Sequence, residues 1–167
     1  MRLLVRSKKY GDHHALIDAD DFPLVKSYDW YLMICRKVIK YAVAKSQAGP
    51  VVILHRIILN APRGLFVDHK NGNGLDCRRA NIRVATRSQN GANRIKRAST
   101  SSSKFLGVWM DKRSGLWEAC LRLKGKRYRK GGFRTESGAA AEYNRLASLH
   151  HGEFAKPNAI HKNTGPN

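Results

Sequence analysis

The stretch VDHKNGNGLDCRRANIRVATRSQN, residues 67–90, decides how this chain folds. Together with the two residues before it, its start reads as a strand, LFVDH, that ends on Asp68 and His69. KNGNG follows, and because Gly and Asn tolerate positive φ it reads as a loop. NIRVA is the returning strand. Thr86 followed three residues later by Gln89 is a capping box, in which hydroxyl and amide satisfy each other's orphan N–H groups. It predicts a helix from Arg87 to near Arg97, so the unit is strand, loop, strand, helix.

Upstream, VVILHRIIL (residues 51–59) is nearly unbroken in its apolar character. A run of this kind reads as a buried strand, with Val51, Ile53, His55 and Ile57 on one side and Leu54, Arg56 and Ile58 on the other. His55 therefore reads as structural. From Leu3 to Ala48, short apolar stretches such as HALID and KYAVAK are broken by the acidic turn DADDFP, which predicts small antiparallel strands. His13 and His14 beside Asp12 lack a second ligand cluster and read as surface histidines.

The whole chain carries 32 Lys and Arg against 12 Asp and Glu, a formal net charge of +20 on 167 residues, which points to a polyanionic partner. A composition of 42% hydrophobic residues argues against wholesale disorder. Apolar runs such as 51–54 are too short to cross a bilayer, and the start MRLLVRSKKY lacks a secretory h-region, so the expectation is a soluble intracellular protein without membrane partners. Cys35, Cys77 and Cys120 are scattered and odd in number, forming neither a disulfide framework nor a CxxC pair. They read as reduced and incidental, with no structural zinc expected.

Phosphodiester hydrolysis needs an activated water, neutralisation of the phosphate and stabilisation of the leaving oxygen, and a divalent ion supplies the last two. Asp68 and Asn90 are the oxygen donors that a hard ion such as magnesium favours. A neutral imidazole can deprotonate water near pH 7, and His69 is adjacent to the carboxylate. Neighbours on a regular strand face opposite ways, so this pairing requires the chain to turn at Asp68 and His69.

The spacing of Asp68, His69, Asn81 and Asn90 resembles the HNH endonuclease signature, in the variant with Asn in place of the final His and Asp before the first. HRIIL and VDHKNGNGLDCRRANIRVATRSQNGAN are similar to phage and intron-associated HNH homing endonucleases over residues 30–93. The resemblance implies the ββα-metal fold, with His69 as general base, Asp68 and Asn90 holding one divalent metal, and Asn81 bracing the loop that carries His69. Magnesium is the expected ion and manganese the alternative. Arg94, four residues beyond Asn90 and on the same helical face, is a candidate phosphate clamp. Cys77 stands where relatives commonly have Asn, and little effect is expected of it.

ASTSSSK, residues 98–104, has the composition of a flexible linker. Beyond it FLGVWM, LWEACLRLKG and KRYRKGGF read as three strands divided by DKRSG and KGK, and TESGAAAEYNRLASLHHG as one helix with Thr135 as N-cap and Gly152 at its end. The tail KPNAIHKNTGPN reads as frayed. Between residues 94 and 134 thirteen Lys and Arg face only Asp111 and Glu118, more than half of the net charge. In the second strand Trp117, Ala119, Leu121 and Leu123 share one side while Glu118, Cys120, Arg122 and Lys124 share the other. Such a sheet can turn a helix-covered face inward and a basic face to the DNA major groove.

This half is similar to the Apetala-two type DNA-binding domain over residues 104–158, through FLGVW, WEACLR, the GGF turn and SGAAAEYN. The resemblance implies DNA contacts from Trp109, Arg122, Arg127 and Arg129. Arg113 joins them only with a one-residue insertion, and Lys124 by its place on the outward side. Leu106 and Cys120 depart from the plant pattern, so no target sequence carries over. The expected fold class is α+β: a ββα-metal nuclease domain (1–97, core 51–97), a linker (98–104), a three-stranded antiparallel sheet on one helix (105–158) and a tail (159–167). The expected function is a metal-dependent endonuclease of the homing type acting on double-stranded DNA as monomer or homodimer. A DNA-binding regulator with an inactive nuclease unit is the alternative.

Overall fold

The computed structural model describes residues 1–35, 38–46, 49–93 and 102–160. The chain clusters into two compact units, Met1–Asn90 and Gly91–Asn167. Both mix α and β, with small antiparallel sheets and few helices. Among the described residues no helix is long and apolar enough to cross a membrane.

The first unit opens with an antiparallel pair, β1 (Arg2–Val5) and β2 (His13–Leu16). The acidic turn follows and runs into the short helix α1 (Phe22–Val25). A meander of β3 (Tyr31–Cys35), β4 (Ile39–Lys45) and β5 (Val51–Ile53) comes next. In β4, Ala42 and Ala44 are buried two residues apart while Tyr41 and Val43 are only half-buried and Lys45 is exposed, the alternation expected of a strand with one face on the core.

The run VVILHRIIL is not one strand. Only its first three residues, Val51–Ile53, pair with β4, and Leu54–Ile58 is a helix, α2. Periodicity alone does not separate a short buried strand from a buried helix. Here the helical reading wins because Leu54, His55 and Ile58 all become buried at i, i+1 and i+4. Full burial of an aliphatic side chain such as Leu54 contributes about 2 kcal/mol, enough to override the β preference of the isoleucines. The chain leaves α2 through Asn60 at φ 44°. Arg56 fastens the next bend, donating to the carbonyls of Leu65 at 2.8 Å, Ala61 at 3.0 Å and Pro62 at 2.9 Å.

β6 (Phe66–His69) and β7 (Ile82–Ala85) form the antiparallel ribbon expected from the sequence, and α3 (Arg87–Ala92) follows. The capping box is present: Thr86 N–H donates to Gln89 Oε1 at 2.8 Å, and Gln89 N–H to Thr86 Oγ1 at 3.3 Å. The expected continuation of this helix to Arg97 lies outside the described residues. One core unites the hairpin, the meander and the ribbon, through Val5, Ile17, Trp30, Leu54, Val67 and Ile82.

In the second unit β8 (Val108–Met110), β9 (Trp117–Leu123) and β10 (Lys126–Phe133) form a sheet in the order β10-β9-β8. The helix α4 (Glu136–His151) buries Ala139, Ala140, Tyr143, Leu146 and Ala147 in one cluster with Val108, Ala119 and Leu121. Thr135 Oγ1 caps it by accepting from Gly138 N–H at 3.1 Å, and Gly152 ends it at φ 54°. Gly107, at φ 68°, lets the strand approach so close that a Cβ there would collide with the Tyr143 ring.

Two expectations change. Ser102, Ser103 and Lys104 behave as part of the fold: Ser102 Oγ accepts from Met110 N–H at 2.9 Å, Ser103 is buried, and Lys104 N–H donates to Glu136 at 2.9 Å. The tail is pinned at Asn158, which exchanges hydrogen bonds of 2.7 Å and 3.1 Å with the Leu106 backbone and of 2.7 Å and 3.0 Å with the Asn144 side chain. Small polar residues read as linker when their hydrogen-bond partners are distant in sequence. Residues 98–101 and 161–167 lie outside the described ones.

Candidate functional site

The loop between β6 and β7 is held by side-chain amides standing in for backbone. Asn81 Oδ1 accepts from Asn71 N–H at 3.1 Å, while its Nδ2 donates to Asp76 O at 2.7 Å and to Asn71 Oδ1 at 3.1 Å. Its carbonyl also receives Lys70 N–H at 2.9 Å. These bonds tie the first residues after His69 to the start of β7. Asn71 and Asn73 then accept from the N–H groups of Asn73 and Leu75, closing successive Asx turns. Gly74 brings the loop against β4, where a Cβ would meet the Lys40 carbonyl and the Tyr41 ring.

The amino-terminal hairpin extends this clamp. Leu16 N–H donates to Leu75 O at 2.8 Å and Cys77 N–H to Leu16 O at 2.8 Å, so the loop docks along the end of β2. The acidic turn supplies a second anchor. Asp21 is 2% exposed and receives Arg79 Nε at 3.0 Å and NH2 at 2.6 Å, while Arg79 N–H donates to Asp18 at 2.7 Å.

His69 ends β6, and the turn begins only at Lys70, with Gly72 N–H donating to His69 O at 2.8 Å. The expected turn at Asp68 and His69 therefore falls one residue later, because both residues pair with β7, opposite Arg83 and Ile82. The two neighbours have different surroundings. Asp68 is buried and accepts from Arg83 Nε at 2.9 Å and NH2 at 2.8 Å. The His69 ring packs with those of His55, at 4.9 Å between centroids, and Tyr41, at 5.9 Å.

Burial lowers the His69 pKa to about 4 against the opposing pull of Asp68 and Asp76, and that of His55 to about 3, with His69 and Arg56 adding to the effect. Both rings are neutral at pH 7. Asp76 is held below the usual carboxylate range chiefly by its hydrogen bond from Arg78, whose Nε and NH2 reach it at 2.8 Å and 2.7 Å. Burial pushes the Cys77 thiol up to about 12. Cys77 is not incidental to this region: it is fully buried and its sulfur lies beside the two imidazoles.

Asn90 stands on α3, half-buried, with its N–H donating to Thr86 O at 2.9 Å. Arg94 lies outside the described residues. His55 has moved from a predicted strand to a helix and joins the His69 surroundings. Sequence reasoning overlooked Tyr41, Asp76, Arg79 and Arg83, whose partners come from other elements. Only Arg83, directly opposite Asp68 in the hairpin, left a readable signal.

In the second unit, cross-strand pairing sets Arg127 opposite Arg122, Arg129 opposite Cys120 and Trp109 opposite Glu118. Arg122, Arg127 and Arg129 are exposed and Trp109 is half-buried. Glu118, 7% exposed, organises this face: Arg129 donates Nε to its Oε2 at 2.7 Å and NH2 to its Oε1 at 2.5 Å, and the same guanidinium stands 6.0 Å from the Trp109 ring. Lys124 is not on the strand. It forms the hairpin tip with Gly125, at φ 47° and 80°, the signature of a type I′ turn. Arg113 is exposed in the turn after β8, its N–H on Asp111 Oδ1 at 3.3 Å.

The family match falls on the first of these arrangements. A family model described as HNH endonuclease matches residues 53–92, the span that carries His55, Asp68, His69, Asn81 and Asn90. No solved structure matches the chain. A protein of Acanthamoeba polyphaga mimivirus, described as "Uncharacterized HNH endonuclease L560", is 34% identical over 146 residues, 87% of this chain and 75% of that one. A likeness at that level over most of both proteins, with the family match on the β6–β7–α3 segment, means that this chain belongs to the HNH endonuclease family.

Proposed function

We propose that this protein is a metal-dependent endonuclease of the homing or mobile-element type that cuts double-stranded DNA, with its carboxy-terminal sheet selecting the site. The observation that carries the reading is the His69 ring, neutral at pH 7 and next in sequence to Asp68 at the end of β6, where Asn81 holds the first residues of the loop that follows. A neutral imidazole has the lone pair a general base requires. A pKa near 4 is low for that task, and an incoming phosphodiester anion raises it by adding negative charge beside the ring.

Asp68 and Asn90 fit a hard ion by donor type, one carboxylate and one amide carbonyl, with magnesium the first choice and manganese the alternative. Bound there, the ion would neutralise the scissile phosphate and stabilise the leaving oxygen. Arg83 pairs the buried charge of Asp68 and fixes its direction. Asn81 is a positioning residue, and Arg94 is proposed as the phosphate clamp. One such site per chain nicks as a monomer and cuts both strands as a dimer.

The second unit is proposed to be an Apetala-two type module, supported by Trp109, Arg122, Arg127 and Arg129 on one side of a sheet whose other side packs α4. Lys124 and Arg113, at two turns, would reach the phosphate backbone. The test is nicking of supercoiled plasmid carrying the source genome's DNA with magnesium, with EDTA, and with Asp68→Asn and Asn90→Ala. Cleavage that requires the ion and falls at least about a hundredfold in both variants supports the reading. Cleavage indifferent to EDTA would overturn it.

A further inference from the structure

A second set of ligand atoms lies in the first unit, chemically unlike the oxygen donors of Asp68 and Asn90. One donor atom each from His55, His69 and Cys77 falls within 4.8 Å of the others. The three residues are 6%, 6% and 0% exposed. They come from three separate elements: α2, the end of β6 and the loop before β7. Nδ1 of His55 is buried without a hydrogen-bond partner among the described residues. An orphaned buried polar atom gives up its hydration with nothing in return, so a core that packed here for apolar burial alone would not choose histidine.

Around a tetrahedral zinc, with bonds of about 2.0–2.1 Å to nitrogen and about 2.3 Å to sulfur, neighbouring donors stand about 3.3–3.8 Å apart. The observed separations, none above 4.8 Å, require a contraction of at most about 1.0–1.5 Å. Two imidazoles and one thiolate make a borderline-soft set that favours zinc or cobalt, whereas magnesium demands oxygen ligands and keeps its waters. Nearby Asp68 and Asp76 add negative charge that a bound cation would see.

We propose that His55, His69 and Cys77 form a binding site for a thiophilic divalent cation of the zinc class, and that its occupancy halts cleavage by taking the His69 ring. Binding exchanges the S–H bond of Cys77 for a sulfur–metal bond and releases one proton to solvent. The binding half stands on the cluster alone; the inhibitory half rests on His69 being the general base.

The test titrates the full chain with Co2+ in a non-thiol reductant and reads the near-ultraviolet thiolate-to-cobalt band. One equivalent produces the band in the wild type, zinc bleaches it and magnesium does not. Cys77→Ser and Cys77→Ala lose the band and bind at least about tenfold more weakly, while Cys35→Ser and Cys120→Ser keep it. Long-range 1H–15N spectra of the wild type, which depend on no variant folding, show both imidazoles shifting with zinc. Absence of the band in folded wild type, or its survival in Cys77→Ala, overturns the site. Zinc that binds but leaves magnesium-driven cleavage intact overturns the inhibitory half, and a chain that never cleaves DNA leaves the spectroscopic result standing.

Discussion

The imidazole of His55 meets that of His69 nearly edge-on, at 4.9 Å between centroids and 79° between planes, with the Tyr41 ring 5.3 Å from the first and 5.9 Å from the second. This packing fixes the orientation of the proposed base from a helix that ends eight residues before its strand begins. His55→Ala would leave His69 at the end of β6 but free to turn. The expected result is a drop in kcat of about tenfold to a hundredfold with little change in DNA affinity, the pattern of a mispositioned base. Equal losses in kcat and affinity would point to general unfolding of the site.

Acid should weaken the fold. His55 and His69 have pKa values near 3 and 4 in the folded chain against 6.5 when unfolded. The unfolded state therefore binds more protons below pH 6.5, so the stability they contribute is complete above 6.5 and is lost as pH falls toward 4. Each contributes at most about 1.4 kcal/mol per pH unit across that window. Urea midpoints at pH 7.5 and pH 5 should differ less in His55→Gln than in the wild type. Identical pH dependence in the two would contradict the neutral buried ring.

Arg79 reaches back across 58 residues to Asp21, which is 2% exposed. Arg79→Ala strands that carboxylate and opens the contact between the acidic turn and the loop. A loss of about 1–3 kcal/mol is expected, read as a lower urea midpoint with the slope unchanged. Asp21→Asn should cost less, because the half-exposed Arg79 recovers hydration when it loses the carboxylate.

Binding to DNA should weaken with salt, and the sheet should account for part of the slope. Arg122→Ala and Arg127→Ala remove exposed guanidiniums and should leave the melting temperature unchanged. Each that contacts a phosphate lowers the slope of log K against log salt by about one, and each that reads a base costs about 1–3 kcal/mol at one position of the site. Glu118→Gln should loosen Arg129, which the carboxylate holds through two bonds, and blur selectivity more than affinity. Mobility shifts across a salt series distinguish these outcomes.

The strand, loop, strand, helix unit was legible because its signals are local: Asn and Gly in the turn, and Thr86 with Gln89 three residues on. The α4 helix was legible for the same reason, through Thr135 and Gly152. VVILHRIIL misled because an unbroken apolar run carries no period, and only the packing of Leu54 and Ile58 against the core selects a helix. The surroundings of His69 were illegible in one dimension. Tyr41, His55 and Cys77 lie on three elements, and Asp21 finds Arg79 only after the hairpin and the loop dock. Asn158 illustrates the reverse error, a polar residue in an apparent tail whose partners, Leu106 and Asn144, are distant in sequence.

The most direct measurement is the rate of plasmid nicking in magnesium by the wild type and by His69→Ala, on DNA from the source genome and followed to the product form. Metal-dependent nicking or linearisation that His69→Ala reduces at least about a thousandfold, with DNA binding retained, is the predicted result. Tight, salt-sensitive binding of the same DNA without cleavage by the wild type, or cleavage that survives loss of the imidazole, would contradict the account.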